Sequence, residues 1–563
     1  MPSKSTELVN RLADLKMSYS RNDAASKAAI IRGLMEAIIP NPGLLEKYHE
    51  TLCFMQAYPD NSEILKLVDS ELSAFHRRVD RLRRGRRWAR ALDDTGIAGT
   101  TIHYPYNLRT TRWLFERFGQ AIDVDWDDYD EKSSDPLSGL LPLFALYVEN
   151  DGIDDEDLGT VDWIRMAAGK KNLLAWLVGR LEKLGIPFDT QQYIFDNAEL
   201  LLKWDLGISR GSRTLAKMPP AKTYFQRAPL KKQRIDLHES VRKGPPDLQP
   251  LTQRQAAERI ETLIRALLPR HRELYPATFA NPREVYVTSP GHGLDIYFFG
   301  MLPGYRMPLE SNYAALIIKN GVPIGYGISI LFFDRCEIAI NVFDSFRSGE
   351  ASAIFQHLVR VFYHHFGGRD FLMRRWQLGY ENEEGIKSGS FWFYYKLGFR
   401  SLDQGTDCLA QEEWRKITAD RNYRSSEKVL KKLALSDMHI SPGRKSEKPY
   451  KELRVTELAF AVTRMIAERF DGDRQKAHKH ALSKVLAAGL RPGKLSAEER
   501  EQFERFAPLL SLIDDLSSWS TPEKKELLGI IEAKAGISEM EYIHRLQDHQ
   551  RLRAALEKVA GPA

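Results

Sequence analysis

The stretch VPIGYGISILFFDRCEIAINVFDSFRSGEASAIF (residues 322–355) changes its hydrophobic period near its end. Its first two thirds are rich in β-branched and aromatic residues with a period of two, which is typical of β-strands. A turn at 346–350 follows, and apolar residues then recur at helical spacing at Phe355, Leu358, Phe362 and Phe366. We therefore predict strands, a tight turn and an amphipathic helix over 351–366, in the order that builds a mixed sheet with a helix on its face.

Further strand-like runs precede this stretch. They are EVYVTS (284–289), LDIYFFG (294–300) and YAALIIKN (313–320), and Asn320-Gly321 then supplies a strong hairpin signal. On the other side, FLMRRWQL (371–378) is predicted as another strand. An aromatic helix follows in SGSFWFYYKLGFR (388–400). These elements predict a central mixed α/β domain over residues 251–438.

The flanking regions have a different character. Residues 1–218 carry apolar residues at three- and four-residue spacing and predict a helical region. Residues 219–250 are rich in Pro, Lys and Arg, and 439–450 also lack an apolar period, so both are predicted to be linkers. Residues 451–563 predict a C-terminal helical region. The predicted fold class is α/β (α+β), with a central mixed sheet flanked by all-α regions.

Composition limits the function classes. The chain has 563 residues, 43% of them hydrophobic and 28% charged, which indicates a globular protein of several domains. Its net charge of +6 is too small for its length to argue for nucleic acid by itself. No apolar run has the length of a membrane span, and the N-terminus lacks an apolar signal core, so we expect a cytoplasmic protein without a membrane partner. The three cysteines form no CxxC pair, and no metal site is predicted.

The segment EIAINVFDSFRSGEASAIF (337–355), followed by SGSFWFYYKLGF (388–399), resembles the core of the GNAT superfamily of acyl-CoA-dependent N-acyltransferases. The resemblance covers roughly residues 285–400. It implies a GNAT-like mixed sheet, acetyl-CoA or another acyl-CoA as co-substrate, and direct transfer of the acyl group to an amine-bearing acceptor. The identity of that acceptor stays open.

The resemblance assigns the pyrophosphate of CoA to the turn before the predicted helix, where free backbone N–H groups favour an anion. The family pattern is Gln/Arg-x-x-Gly-x-Gly/Ala. Gly349 and Ala351 match its last two positions, whereas Phe346 replaces the Gln or Arg and Arg347 follows one place later. Backbone N–H groups near Val342 are expected to polarise the thioester carbonyl. The predicted CoA-binding residues are Val342, Phe346, Arg347, Ser348, Gly349, Glu350 and Ala351.

The resemblance also implies an acid and a base. Glu337 corresponds to the glutamate that removes a proton from the ammonium acceptor, and Ile338 and Ile340 are expected to raise its pKa. The alternative is a glutamate at the sheet edge that pairs with an arginine. Tyr394, in the signature Phe-Tyr-x-x-x-Gly-Phe, corresponds to the tyrosine that protonates the departing thiolate; the alternative is a purely structural aromatic helix. Glu310 is the second candidate base, in a predicted acceptor loop with His292, Tyr305 and Arg306.

Two other functions stay open. The domain could be a non-catalytic GNAT-fold scaffold or CoA sensor. Alternatively, it could be a transferase with an RNA-borne aminoacyl donor, for which the run FHRRVDRLRRGRRWAR (75–90) would supply the binding site. We favour a different interpretation of this run, in which its arginines pair with the acidic stretch DVDWDDYDE (123–131).

Overall fold

The computed structural model describes residues 3–129, 135–153, 158–230, 235–347, 350–444 and 450–561. The chain divides into two compact units. The first comprises Met1–Pro229, Glu261–Thr278 and Lys319–Pro323, and the second comprises Leu230–Ile260, Phe279–Ile318 and Ile324–Ala563. Most of the predicted central region and the whole predicted C-terminal region therefore belong to the second unit, whereas Glu261–Thr278 and Lys319–Pro323 of the central region belong to the first. No boundary between the units falls in the predicted linker at 439–450.

The first unit is mainly helical, as predicted for residues 1–218. Several of its helices begin at a side-chain cap: Ser20, Asn41 and Asn61 each accept a hydrogen bond from a backbone N–H of the first turn. Its helices up to residue 197 are α1 (Lys4–Leu15), α2 (Arg21–Glu36), α3 (Pro42–Ala57), α4 (Ser62–Ser73), α5 (His76–Arg83), α6 (Leu108–Phe118), α7 (Leu141–Phe144), α8 (Asn150–Ile153), α9 (Thr160–Ala168), α10 (Leu173–Lys183) and α11 (Phe188–Asn197).

The first unit is not all-α, however. Within the described residues it also contains a three-stranded antiparallel sheet of β1 (Thr101–Tyr104), β2 (Ile122–Val124) and β3 (Leu202–Asp205), in the order β1-β3-β2. The prediction of an all-α N-terminal region is wrong in this respect. Strands of three or four residues are too short to display a period of two, and β3 pairs with strands some eighty to a hundred residues before it.

The second unit contains the predicted central mixed sheet. In the described part of the chain the sheet has nine strands, in the order β11-β12-β10-β9-β8-β7-β6-β5-β4. The β9–β10 pair is parallel, whereas β8–β9, β5–β6 and β10–β12 are antiparallel. The strands are β4 (Gln249–Pro250), β5 (Ala280–Gly291), β6 (Leu294–Met301), β7 (Ser311–Lys319), β8 (Val322–Phe332), β9 (Arg335–Val342), β10 (Asp370–Met373), β11 (Arg400–Ser401) and β12 (Met438–Ile440).

The remaining helices include the predicted amphipathic helix. Its apolar face is buried, and Phe362 meets Phe298 of β6 edge to face at 5.6 Å. The helices are α12 (Leu237–Ser240), α13 (Gln253–Leu267), α14 (Tyr275–Thr278), α15 (Ala351–His365), α16 (Arg375–Leu378), α17 (Glu383–Ser388), α18 (Ser390–Lys396), α19 (Gln404–Ala419), α20 (Glu427–Leu433), α21 (Val455–Phe470), α22 (Arg474–Ala487), α23 (Ala497–Leu510), α24 (Thr521–Ala535), α25 (Glu539–Asp548) and α26 (Gln550–Ala560). None of the helices in the described ranges is long and apolar enough to cross a membrane.

The Asn320-Gly321 hairpin is confirmed. Asn320 has φ 48° and Gly321 has φ 81°, the positive values that a tight two-residue hairpin turn requires. The predicted strand 371–378 is only half correct, because β10 ends at Met373 and α16 begins at Arg375. The carboxylate of Asp437 accepts the Arg375 N–H at 2.8 Å and stabilises the start of this helix.

Both predicted linkers contain regular structure. Residues 219–250 include α12 and β4, and residues 439–450 begin within β12. β12 pairs antiparallel with β10, with Phe371 opposite Ile440 and Met373 opposite Met438. Short strands such as these gain their stability from the sheet that they join, so the local composition does not reveal them.

A buried polar network joins the C-terminal helices to the sheet. Glu284 of β5 accepts hydrogen bonds from the Tyr313 hydroxyl at 2.7 Å and from the backbone N–H groups of Glu539 and Met540 at 2.6 and 3.1 Å. It thus satisfies free N–H groups at the first turn of α25. Arg306 donates to the carbonyl oxygens of Lys534 and Gly536 at 2.9 and 2.7 Å.

Candidate functional site

The parallel pairing of β9 with β10 is short and leaves an opening in the sheet. Its register joins Arg335 to Asp370, Cys336 to Phe371 and Glu337 to Leu372. β9 then continues to Val342, and no further pair with β10 occurs among the described residues. The edge of β9 over residues 338–342 that faces away from β8 therefore has no strand partner in the described part of the sheet.

Tyr394 of α18 lies at this opening. Its hydroxyl lies beside the backbone of Ile340, and the side chain is buried. The rings of Phe355 and Phe399 meet the Tyr394 ring at 5.4 and 5.8 Å. Burial raises the pKa of Tyr394 well above its usual value, and the Ile340 backbone only partly offsets this effect. The phenol is consequently neutral around pH 7 and is chemically able to donate a proton.

The other aromatic residues of α18 form the hydrophobic core. Trp392 stacks on Trp414 of α19 at 5.7 Å, and Tyr395 meets the same ring at 5.5 Å. Phe391 stacks on Tyr395 one helical turn away. Phe391, Trp392 and Tyr395 thus pack around one another and against Trp414 of α19, whereas the Tyr394 hydroxyl lies beside the backbone of β9.

Glu337 lies at the point where β9 and β10 separate. Arg374 forms an ion pair with it, and Arg335 lies 3.5 Å away. Glu452 bridges the same two guanidinium groups, at 2.6 Å from each. The predicted apolar surroundings of Glu337 are therefore not observed. Its surroundings match the alternative interpretation of a glutamate paired with arginine. A carboxylate paired in this way can still act as a general base.

Of the candidate acceptor residues, Glu310 is the one joined to this charged cluster, through an ion pair with Arg335. Burial raises the pKa of Glu310, and the Arg335 guanidinium acts against this effect. Arg306 is buried between Glu284 and Glu539 and is part of the network that holds the C-terminal helices. Tyr305 and His292 lie in other surroundings: Tyr305 stacks on Phe279 at 4.0 Å, and His292 has φ 53° in the turn between β5 and β6.

The predicted CoA-binding turn is described in part, because Ser348 and Gly349 lie outside the described residues. The Nε of Arg347 donates to the carbonyl oxygen of Val342 at 3.3 Å. Its Nη2 lies 2.6 Å from Asp344 and 2.5 Å from Glu384 of α17. The guanidinium is thus held by two carboxylates beside the last residue of β9.

Three other residues of this set have simpler positions. Phe346 is buried in the core and does not present a polar group to a ligand. Glu350 precedes α15, and Ala351 is the first residue of that helix. Val342 pairs with Gly325 of β8 through its other edge.

Sequence reasoning missed Arg374, Glu384 and Glu452. Arg374 lies inside a run that was interpreted as a continuous strand. Glu384 and Glu452 are 47 and 115 positions after Glu337 and belong to no motif. No local signal marks such residues, since only the folded chain brings them to the opening. Among the described residues, no group of His, Cys, Asp and Glu is arranged to hold a metal ion.

Comparison with known proteins returns no match: no protein family, no curated protein and no solved structure is found to be similar to this chain.

Proposed function

We propose that this protein is an N-acyltransferase that moves an acetyl or related acyl group from acyl-CoA directly to an amine. The observation that supports this proposal most strongly is the opening between β9 and β10, with the Tyr394 hydroxyl on the backbone of Ile340. An unpaired strand edge can hold an extended amide chain, and a buried neutral phenol can protonate a departing thiolate.

The edge of β9 without a strand partner suits the pantetheine arm of CoA. Arg347 and Tyr394 already contact this edge, at Val342 and at Ile340. This arm is a flexible chain that contains two amide groups, and an extended amide chain can add to an exposed strand edge through main-chain hydrogen bonds. In the proposal, the arm lies along residues 338–342 and the thioester carbonyl accepts a hydrogen bond from a backbone N–H near Val342. This hydrogen bond stabilises the negative charge that develops on the carbonyl oxygen.

The proposed proton transfers use the two side chains at the opening. Glu337, or Glu310 beside it, takes a proton from the ammonium acceptor through water, and the free amine attacks the thioester carbon. The new C–N bond forms as the C–S bond breaks. Tyr394 donates its proton to the departing thiolate, and solvent returns a proton to the phenolate.

The pyrophosphate of CoA belongs at the start of α15 in this proposal. Arg347 lies four residues before the first residue of α15, and it is held by Asp344 and Glu384. Binding therefore requires that Arg347 exchange a carboxylate for a phosphate, which a guanidinium does readily because both anions accept paired N–H donors.

Calorimetric titration with acetyl-CoA tests the proposal, with a Gly349→Glu variant in parallel. The new carboxylate should repel the pyrophosphate, so we expect micromolar binding that is lost in the variant. A thiol-release assay with a panel of polyamines, amino acids and peptides then tests turnover. Binding without turnover of any amine would favour the CoA-sensor or scaffold alternative, and an absence of binding by the folded wild type would overturn the proposal.

A further inference from the structure

The arginine run of the first unit presents an exposed cationic surface. Arg77, Arg81 and Arg84 follow each other at spacings of four and three, which places them on one face of α5 and its C-terminal extension. Arg87 and Arg90 continue the run through a 3₁₀ turn. All five side chains are exposed. We name these five residues the arginine surface.

Two other arginines of the run have structural roles that the arginine surface lacks. Arg78 pairs with Glu71 and donates to the carbonyl oxygens of Leu34 and Ala37. Arg83 lies 3.5 Å from Asp93 and donates to the Gly99 carbonyl oxygen. These contacts account for Arg78 and Arg83 as parts of the fold.

No member of the arginine surface forms an ion pair with a carboxylate in the described ranges of the chain. The predicted partner was the acidic stretch 123–131, of which Asp123–Tyr129 is described. There, Asp123 accepts hydrogen bonds from Trp126 and Asn172. Asp125 faces His103 at 3.6 Å. The predicted pairing is therefore wrong for the described part of the stretch.

Carboxylates within the run itself do not neutralise the arginine surface either. Between residues 77 and 90 the sequence has eight arginines and one carboxylate, Asp80. Cations near a helix C-terminus interact favourably with the helix dipole, which accounts for Arg81. This effect falls off within one turn and does not account for Arg77 or Arg90. Like charges held so close together repel each other and attract a polyanion.

A partly open cavity with both apolar and arginine side chains in its wall lies beside this surface. Its volume is about 210 Å³, and Arg81 is part of its wall. The cavity is larger than the roughly 150 Å³ that accommodates benzene and smaller than pockets for drug-sized ligands, so it fits a single ring system. The wall is formed by Ile38, Ile39, Pro40, Leu45, Leu82, Gly85, Arg78 and Arg81. Close by in sequence, the Arg87 guanidinium lies 4.5 Å from the centre of the Trp88 ring.

We propose that the arginine surface binds a single-stranded nucleic acid, for which RNA is the probe, with phosphates on the arginines and one unstacked base in the cavity. A nucleic-acid strand supplies an anion and a planar ring in each repeat, whereas an acidic peptide supplies anions without the regular rings. A single strand is required because a base in a duplex is stacked and cannot enter a cavity. This inference is independent of the proposed acyl transfer.

Fluorescence anisotropy with a labelled 15-nucleotide RNA of mixed sequence tests the proposal. Five phosphate contacts should give a slope of log K against log salt of about −3.5. The triple variant Arg77→Gln/Arg81→Gln/Arg84→Gln should make the slope shallower, at about −1.4 for the two remaining contacts. Binding should weaken about 100-fold at 0.1 M salt. The matched control Arg165→Gln/Arg254→Gln/Arg505→Gln changes three exposed arginines elsewhere and should bind as the wild type does.

The cavity is tested with Gly85→Leu. A Cβ at position 85 would meet no atom closer than 3.6 Å, so the fold accepts a side chain on this part of the cavity wall. We expect weaker binding of RNA and unchanged binding of inorganic polyphosphate. Equal affinity for polyphosphate and RNA, together with no effect of Gly85→Leu, would overturn the RNA proposal in favour of a general polyanion surface. An absence of RNA binding, or an equal loss in the control triple, would also overturn it.

Discussion

The guanidinium of Arg374 donates to the carboxylate of Glu337 at the last register where β10 pairs with β9. Arg374 also donates to Glu452 at 2.6 Å and to Asp437 at 2.8 Å. One arginine thus fixes the orientation of the candidate base. It also links the opening of the sheet to the chain around Asp437 and Glu452. The charge around Glu337 is provided by residues distant in sequence, and this arrangement leads to specific expectations.

Tyr394→Phe should reduce thiol release from acetyl-CoA by about 100-fold or more, because a positioned general acid contributes about that much. The affinity for acetyl-CoA should change little. Burial raises the pKa of Tyr394 above the usual value of about 10, so the wild-type rate should not fall between pH 7 and pH 10 through loss of this proton. The control is Tyr395→Phe, the adjacent buried tyrosine. Equal rates for the two variants would remove Tyr394 from the mechanism.

Glu337→Gln should lower the rate by about 100-fold if Glu337 is the base. It should also lower the free energy of unfolding by about 1–3 kcal/mol, because Arg374 and Arg335 lose a charged acceptor. Urea unfolding and the thiol-release assay measure the two effects separately. Glu383→Gln is the control, since Glu383 is exposed and pairs with Lys387. A loss of stability with an unchanged rate would assign Glu337 a purely structural role and direct attention to Glu310.

Glu384→Gln should tighten acetyl-CoA binding by about two- to tenfold. The substitution removes one of the two carboxylates that hold Arg347. Less free energy is then needed to move the guanidinium from its carboxylate partner to a phosphate of CoA. Calorimetry gives the dissociation constants, and the neighbouring Glu383→Gln again provides a control with the same change of charge. Unchanged affinity would show that Arg347 does not contact the pyrophosphate.

Glu273→Gln should change the pH dependence of stability. Burial raises the pKa of Glu273 from 4.5 to about 7, although the Thr110 side chain and the Asn107 N–H act against this effect. The folded state therefore binds this proton more tightly than the unfolded state does. The resulting stabilisation is present below about pH 4.5 and is lost as the pH rises to about 7.

Between pH 4.5 and pH 8 the wild type should lose about 3 kcal/mol of unfolding free energy through this group, at about 1.4 kcal/mol for each pKa unit. The variant lacks the titrating group and should not show this loss. Urea unfolding at both pH values measures this difference. Glu258→Gln, at an exposed position of α13, should follow the wild type at both pH values. A constant difference between Glu273→Gln and the wild type would contradict the prediction.

Glu284→Ala should destabilise the second unit by about 3–5 kcal/mol, because Arg306 and several hydrogen-bond donors would lose a buried anionic acceptor. The C-terminal helices should then become sensitive to limited proteolysis. Glu284→Gln keeps a carbonyl oxygen for these donors and should cost less. Rapid proteolysis of the wild type itself in the C-terminal helices would contradict the role given to this network.

Much of the fold around the opening could be predicted from the sequence. The runs that became β5 to β9, the Asn320-Gly321 turn and α15 each carry their own local signal, namely a hydrophobic period or residues that tolerate positive φ. The position of Tyr394 on a helix after β10 was also predictable, because the aromatic run is continuous. The strand half of 371–378 was predictable, but its helical end depends on Asp437, which lies outside that run.

The sequence by itself determined the longer local elements, such as β5 to β9 and α15, since their residues carry a hydrophobic period. The short strands and α16 depend on partners that are distant in sequence. Only the tertiary structure decided what surrounds the candidate groups. Glu337 pairs with Arg374 and Arg335, which Glu452 also contacts, rather than with apolar side chains. The arginine surface forms no ion pair with the described acidic residues of 123–129. The physical reason is that electrostatic and hydrogen-bond partners act across a few ångströms in space, and the fold brings together residues that share no sequence pattern.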